Sequence, residues 1–142
     1  MRYAGLDLGD KTIGVAISDE LLFSAQPLTV IRRQNSIATD IEELKAILAP
    51  YTPIELVLGL PKNMNGTEGP RAEFTRQFAN RLEEVGFTVH FWDERLSTMA
   101  VEKVLIEADL SRKKRKNVVD QVAAAYILQG FIDRKRIQKD NN

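Results

Sequence analysis

The sequence predicts an α/β fold in which a mixed sheet is covered by helices on both faces. Three observations point there. Two apolar runs, "RYAGLDL" (2–8) and "IGVAIS" (13–18), are separated only by Gly9–Thr12, short enough for an antiparallel hairpin. The later apolar runs "IELVLGL" (54–60) and "FTVHFW" (87–92) alternate with segments of helical periodicity, which puts helices over the sheet. The 142 residues are 44% hydrophobic, with no internal repeat and no linker that would divide them, so one domain over residues 1–142 is expected.

The elements follow in order. After the opening hairpin, "LTVIRR" (28–33) reads as a third strand. Asn35 or Ser36 can cap a helix over about 37–49, where Ile37, Ile41, Leu44 and Leu48 recur at helical spacing until Pro50 and Pro53. "PKNMNGTEGP" (61–70) is a loop after the fourth strand, and Pro70 suits the first position of the next helix. That helix sets Phe74, Phe78, Leu82 and Val85 on one face and stops at Gly86. Beyond the fifth strand, Ser97 or Thr98 can start a helix striped by Val101, Val104, Leu105 and Ala108. "SRKKRKN" (111–117) breaks the pattern, and a last helix runs from about Val118 to Ile137. Residues 133–142 read as a frayed basic tail.

Composition excludes several chemistries. There is no cysteine, hence no disulfide and no thiolate metal site, and the single histidine, His90, excludes a multi-histidine zinc site within one chain. No leader-like opening and no apolar run of about 18 residues is present, so a cytoplasmic protein with no membrane partner is expected. The net charge of zero is unevenly spread. Residues 112–142 hold nine Lys/Arg against three Asp/Glu, and residues 1–111 eleven against seventeen. The basic end can meet a polyanion.

Three acids stand out. Asp7 interrupts an apolar strand and shares its face with Tyr3, Gly5 and Gly9, whose small size leaves room beside a carboxylate that needs donors, a cation or solvent. Asp93 and Glu94 follow the fifth strand and point to opposite faces if the strand continues, so one of them at most aims at a given site. Asp120 lies within about 40° of Ala124, Ile127 and Phe131 on a helical wheel, at the centre of the apolar stripe. A cap at Asn117 would put it in the first helical turn, where the dipole favours an acid without explaining the inward aim. Carboxylates converging from such places are hard oxygen ligands suited to Mg²⁺ or Mn²⁺, and a pair of such ions hydrolyses phosphodiesters.

"GLDLGDKTIGVAISD", "LVLGLPKNMNGTEGPRA", "DERLST" and "VVDQVAAAYILQ" together resemble the YqgF family, also called RuvX, Holliday junction resolvase-like nucleases of the RNase H-like superfamily. The resemblance covers nearly the whole chain. It implies a five-stranded mixed sheet in the order 3-2-1-4-5 flanked by helices. It implies Asp7, Glu94 and Asp120 as catalytic acids and metal ligands, choosing Glu94 over Asp93. The implied partner is nucleic acid, either the 5′ end of pre-16S rRNA or branched DNA. Related junction resolvases carry a fourth acid on the last helix, where this chain has Ala123 and Ala124, so the second of two ions would be completed by substrate.

Other motifs suit a nucleic-acid contact. Asn63, Asn65, Thr67 and Arg71 surround a loop-to-helix junction able to hold phosphate. Lys11 and Thr12 lie in the turn after Asp7, and Arg95 can meet phosphate or a neighbouring acid. Arg112, Lys113, Lys114, Arg115 and Lys116 form a run of cations whose repulsion a phosphate backbone would neutralise. Trp92 reads as core, and His90 as a packed or surface histidine rather than a base. Two rival functions share these features. One is a non-catalytic RNA- or ribosome-binding scaffold; the other is a nucleotide-binding module related to actin and heat-shock ATPases, which would need a second domain. Cutting a junction symmetrically needs two sites and trimming one RNA strand needs one, so a monomer or weak homodimer is expected.

Overall fold

The computed structural model describes residues 1–96 and 112–140, without the side chains of residues 96, 112–121 and 139–140. Five strands form one sheet: β1 (Arg2–Leu8), β2 (Thr12–Ser18), β3 (Ala25–Arg32), β4 (Ile54–Leu60) and β5 (Val89–Asp93). Their spatial order is β3-β2-β1-β4-β5. The β1–β2 and β2–β3 pairs are antiparallel and the β1–β4 and β4–β5 pairs parallel. The parallel pairs need crossovers, supplied by α1 (Ile37–Leu48) and α2 (Pro70–Glu84). A third helix, α3 (Arg112–Asp140), closes the chain.

Alternation along β1 decides what each face buries. Ala4, Leu6 and Leu8 join Ile13, Val15, Leu56 and Leu58 beneath α1 and α2, whose Leu44, Leu48, Phe78 and Leu82 are fully buried. Each such side chain contributes about 2 kcal/mol of burial. Tyr3, Ala16, Val57 and Trp92 look the other way and pack under Ala123, Ala124, Ile127 and Leu128 of α3.

Local chemistry sets the ends. Ser36 is extended and its hydroxyl accepts from the Thr39 amide, capping α1. Pro70 opens α2, and Gly86 closes it at φ +103°, a conformation glycine adopts without penalty.

Three elements differ from expectation. β3 begins at Ala25 rather than Leu28 and contains Pro27, which is tolerated because β3 is an edge strand. Leu28 is the extra residue of a bulge, since Val15 pairs with Thr29 and Ala16 with Pro27. The last helix starts at Arg112 rather than Val118. Lys and Arg are good helix formers, so the basic run continues the helix instead of breaking it. Residues 133–140, expected to fray, are helical too, with Ile132 buried and Asp133 bonded to Gln129 and Arg136. The helix expected after Ser97 or Thr98 lies outside the described residues. Among the described residues, no helix is long and apolar enough to cross a membrane.

Candidate active site

Asp7 lies near the end of β1, half-buried, on the face that α3 covers. Its cross-strand partner on β2 is Gly14. The β1–β4 register, continued one residue past Leu6–Leu58, sets Gly59 on its other side. The carboxylate therefore has a glycine on each flank and no neighbouring side chain in its row. The sequence reading credits the room to Gly5 and Gly9, and the structure corrects this. A Cβ on Gly5 would meet Ala124 O and Leu128 Cβ at 2.7 Å, so its bare surface seats α3. Gly9 belongs to the turn, where its amide donates to Thr12 O at 2.8 Å.

The choice between Asp93 and Glu94 follows from β5. Gly59 pairs with Trp92 and Leu60 with Asp93, so Trp92 shares the face of Asp7 and Asp93 takes the opposite one. Glu94 opens a 3-10 turn over Glu94–Leu96. Its side chain returns over Gly59: a Cβ there would lie 2.7 Å from Glu94 Oε1. Asp7 and Glu94 thus adjoin the same glycine from opposite sides. Asp93 is spent elsewhere. Arg95 grips its carboxylate through Nε and Nη2, at 3.1 and 2.7 Å, and donates its own amide at 3.0 Å. The Arg95 guanidinium beside it holds the Asp93 carboxyl below its ordinary range.

Asp120 is reached through the backbone. Ala124 sits over Gly5. One turn back along α3 is about 6 Å, and two residues on along β1 from Gly5 to Asp7 is about 6.6 Å. Tyr3 meets Phe131 and Gly5 meets Ala124, so α3 runs against β1 and the backbone of Asp120 lies toward the Asp7 end, while its side chain lies outside the described residues. Because α3 starts at Arg112, Asp120 is two turns into the helix. Proximity to the helix N-terminus, which acts within the first turn, no longer accounts for an acid there. Among the described residues no group of three acids or histidines is close enough to hold a metal ion. Asp7 and Glu94, on either side of Gly59, carry hard oxygen donors of the kind Mg²⁺ or Mn²⁺ takes.

The expected nucleic-acid contacts divide. Lys11 and Arg71 are exposed and Thr12 is half-buried. In the loop over residues 61–69 the side chains brace one another: Asn63 Nδ2 donates to Thr67 Oγ1, whose hydroxyl and amide donate to Asn65 Oδ1. Arg95 meets the neighbouring acid. It pairs with Asp93 and also reaches the carbonyls of Asn63 and Met64, tying the loop to the end of β5. Arg112, Lys113, Lys114, Arg115 and Lys116 form the first turns of α3 by backbone, their side chains outside the described residues. Trp92 is core, 8% exposed against Gly130. His90 packs on Tyr3 and Phe131 and donates Nε2–H to Glu55 Oε1 at 2.6 Å. Sequence reasoning missed Gly14 and Gly59. Each lies in a quoted motif, but only strand pairing shows that they flank Asp7.

A mixed sheet in this order with helices on both faces defines an RNase H-like architecture. The fold is similar to that of T. thermophilus RuvC in complex with Holliday junction substrate. That likeness has a TM-score of 0.58 and 15% identity, over 96% of each chain. It is also similar to the fowlpox virus Holliday junction resolvase, with a TM-score of 0.54 and 14% identity, over 94% of this chain and 99% of that one. The chain belongs to the RuvX family, described as Holliday junction resolvase, whose model matches residues 1–134. Among its relatives is a protein of Moorella thermoacetica, 59% identical over 94% of this chain and 96% of its own, named "Putative pre-16S rRNA nuclease". A Desulfitobacterium hafniense protein of the same name is 52% identical over 100% of this chain and 99% of its own. Family and relatives agree on a nuclease.

Proposed function

We propose that this chain is a metal-dependent hydrolase of nucleic-acid phosphodiesters, working at the 5′ end of pre-16S rRNA in the cytoplasm. Asp7, Glu94 and Asp120 are its acids. The observation that carries this is that Glu94 Oε1 returns over Gly59, the β4 residue in register beside Asp7, although the two acids are 87 residues apart in sequence.

These three carboxylates would hold Mg²⁺ or Mn²⁺, which when bound lends Lewis-acid chemistry to the phosphodiester and lowers the pKa of water. They number one fewer than in related four-acid resolvases, so substrate oxygen completes the ligand set of a second ion. The apolar β1 fixes the Asp7 backbone, and the bare backbone of Gly59 beside it gives the Glu94 carboxylate its place. Lys11 and Thr12 follow Asp7 in the turn and meet the strand backbone, as does Arg71 at the start of α2. The loop at Asn63, Asn65 and Thr67, tied down by Arg95, presents its polar side chains, and Arg112, Lys113, Lys114, Arg115 and Lys116 extend the basic track. A monomer suffices to trim one RNA strand.

Junction cutting is the second reading, favoured by the family description and the fold neighbours. A side-by-side assay on a pre-16S 5′ fragment and a four-way DNA junction, with Mg²⁺ or Mn²⁺, separates the two. Wild type is expected to cleave the RNA, and Asp7→Asn to lose cleavage while keeping its Tm and RNA binding. Cleavage by Asp7→Asn at the wild-type rate overturns the centre, and cleavage of the junction alone overturns the substrate.

A further inference from the structure

The β1–β2 turn and the start of α1 enclose a cavity of about 530 Å³. It opens at the Asp7 end of the sheet, since β2 begins at Thr12 just beyond that turn and β3 ends opposite it at Arg32. Lys11, Arg32, Arg33, Gln34 and Asn35 line it, with Asp10 as its one acid.

Its floor is fixed. Asp40 is fully buried, and its two oxygens take the Gln34 amide at 2.9 Å and Arg33 Nε at 3.4 Å. Arg33 Nη1 then donates to Gly9 O at 2.9 Å, while the guanidinium lies 4.7 Å from the centre of the Phe74 ring. Arg33 and Asp40 therefore neutralise each other and join the turn after Asp7 to α1. Lys11 and Arg32 remain: both are exposed, and neither has an ion-pair partner among the described residues. Against Asp10 alone, they leave the cavity with an excess of one positive charge.

Exposed cations are ordinarily solvated surface. Two features set these apart. The cavity falls in the range of small-ligand sites, with room for one nucleotide unit. Arg32 also shares a face with Asp7: Asp7 pairs with Gly14, Gly14 with Val30, and Arg32 lies two residues on from Val30. Two strand spacings, about 10 Å, separate their columns.

We propose that this cavity holds one unpaired nucleotide of the substrate strand flanking the cleaved bond. Its phosphate lies on Lys11 and Arg32, and its sugar or base meets the side-chain amides of Gln34 and Asn35. This rests on the nuclease reading above and adds to it that the flank is single-stranded.

Binding in EDTA, where no turnover occurs, tests it. Anisotropy is measured on a pre-16S 5′ fragment with one methylphosphonate placed in turn at each phosphate around the cleavage site. In wild type, one flanking position should weaken binding about three- to fivefold when neutralised. Arg32→Ala should match that loss, show no further loss at that position, and lower the salt slope by about one. Asn35→Ala should weaken binding with the slope unchanged. Arg32 is exposed, so its variant should keep the wild-type Tm. If wild type binds but every position weakens Arg32→Ala as it weakens wild type, this inference falls and the nuclease reading stands. If wild type does not bind the fragment, both fall.

Discussion

Gly5→Ala tests how α3 is mounted on the sheet. The added Cβ would lie 2.7 Å from the carbonyl oxygen of Ala124 and 2.7 Å from Leu128 Cβ. Ordinary contact begins near 3.4 Å, so the helix must retreat by roughly 0.7 Å. Neither neighbour can swing aside, since one is main chain and the other is the first atom of a side chain. Retreat loosens the buried face of Ala123, Ala124, Ile127 and Leu128 over Ala16 and Val57. A gap of 0.5–1 Å forfeits about a quarter to a half of each dispersion contact. Overpacking costs about 1–3 kcal/mol, and an unyielding pair belongs at the upper end, about 3 kcal/mol. For a chain of this length that lowers Tm by roughly 10 °C. Thermal unfolding followed by circular dichroism reads it directly. A variant melting within about 3 °C of wild type would refute the close seating of α3 on β1.

Gly59→Ala should separate activity from stability. Its Cβ meets Ile127 Cδ1 at 2.5 Å and Glu94 Oε1 at 2.7 Å, both tips of flexible side chains. The fold should lose about 1 kcal/mol. Cleavage should fall much further because the Glu94 carboxylate is displaced, and comparing the cleavage rate with Tm checks it; a rate that merely tracks Tm counts against the site. Asp93→Asn should retain cleavage, whereas Glu94→Gln should abolish it. Arg95 lowers the folded-state pKa of Asp93, so the ionised pair stabilises the fold above the unfolded pKa of about 3.9 and is lost as pH falls through the folded value. The Tm gap between wild type and Asp93→Asn should be full at pH 6 and close below about pH 4, as a pH series of melting curves will read.

Much of the fold is legible in the sequence because one-dimensional signals suffice for it. β1, β4 and α1 announce themselves by apolar runs, helical spacing and a serine cap. The basic start of α3 is not legible in that way. A run of cations has no apolar stripe to report a period, although its residues favour helix. At the site, residue identities are visible but their relations are not. Asp93 and Glu94 are equivalent as letters. They separate only when Leu60 pairs with Asp93 and Gly59 with Trp92. The cavity at Arg32 is hidden for the same reason, because Lys11 in the β1–β2 turn and Ile37 at the start of α1 are 26 residues apart in sequence and meet only after β3 has paired.

Gly59 ties the candidate chemistry to the packing of the last helix. α3 approaches the sheet where side chains are missing: Ala124 and Leu128 close on Gly5, Ile127 on Gly59, and Gly130 on the Trp92 ring. A side chain on Gly5 would lift the helix, whereas one on Gly59 would push aside the tips of Ile127 and Glu94. Gly59 carries a double load, since Ile127 and Glu94 lie against the same bare backbone. The seating of α3 and the aim of Glu94 therefore cannot be varied independently there. Residues that seat the helix and the residue that gives Glu94 its place are thus neighbours on one face of one sheet.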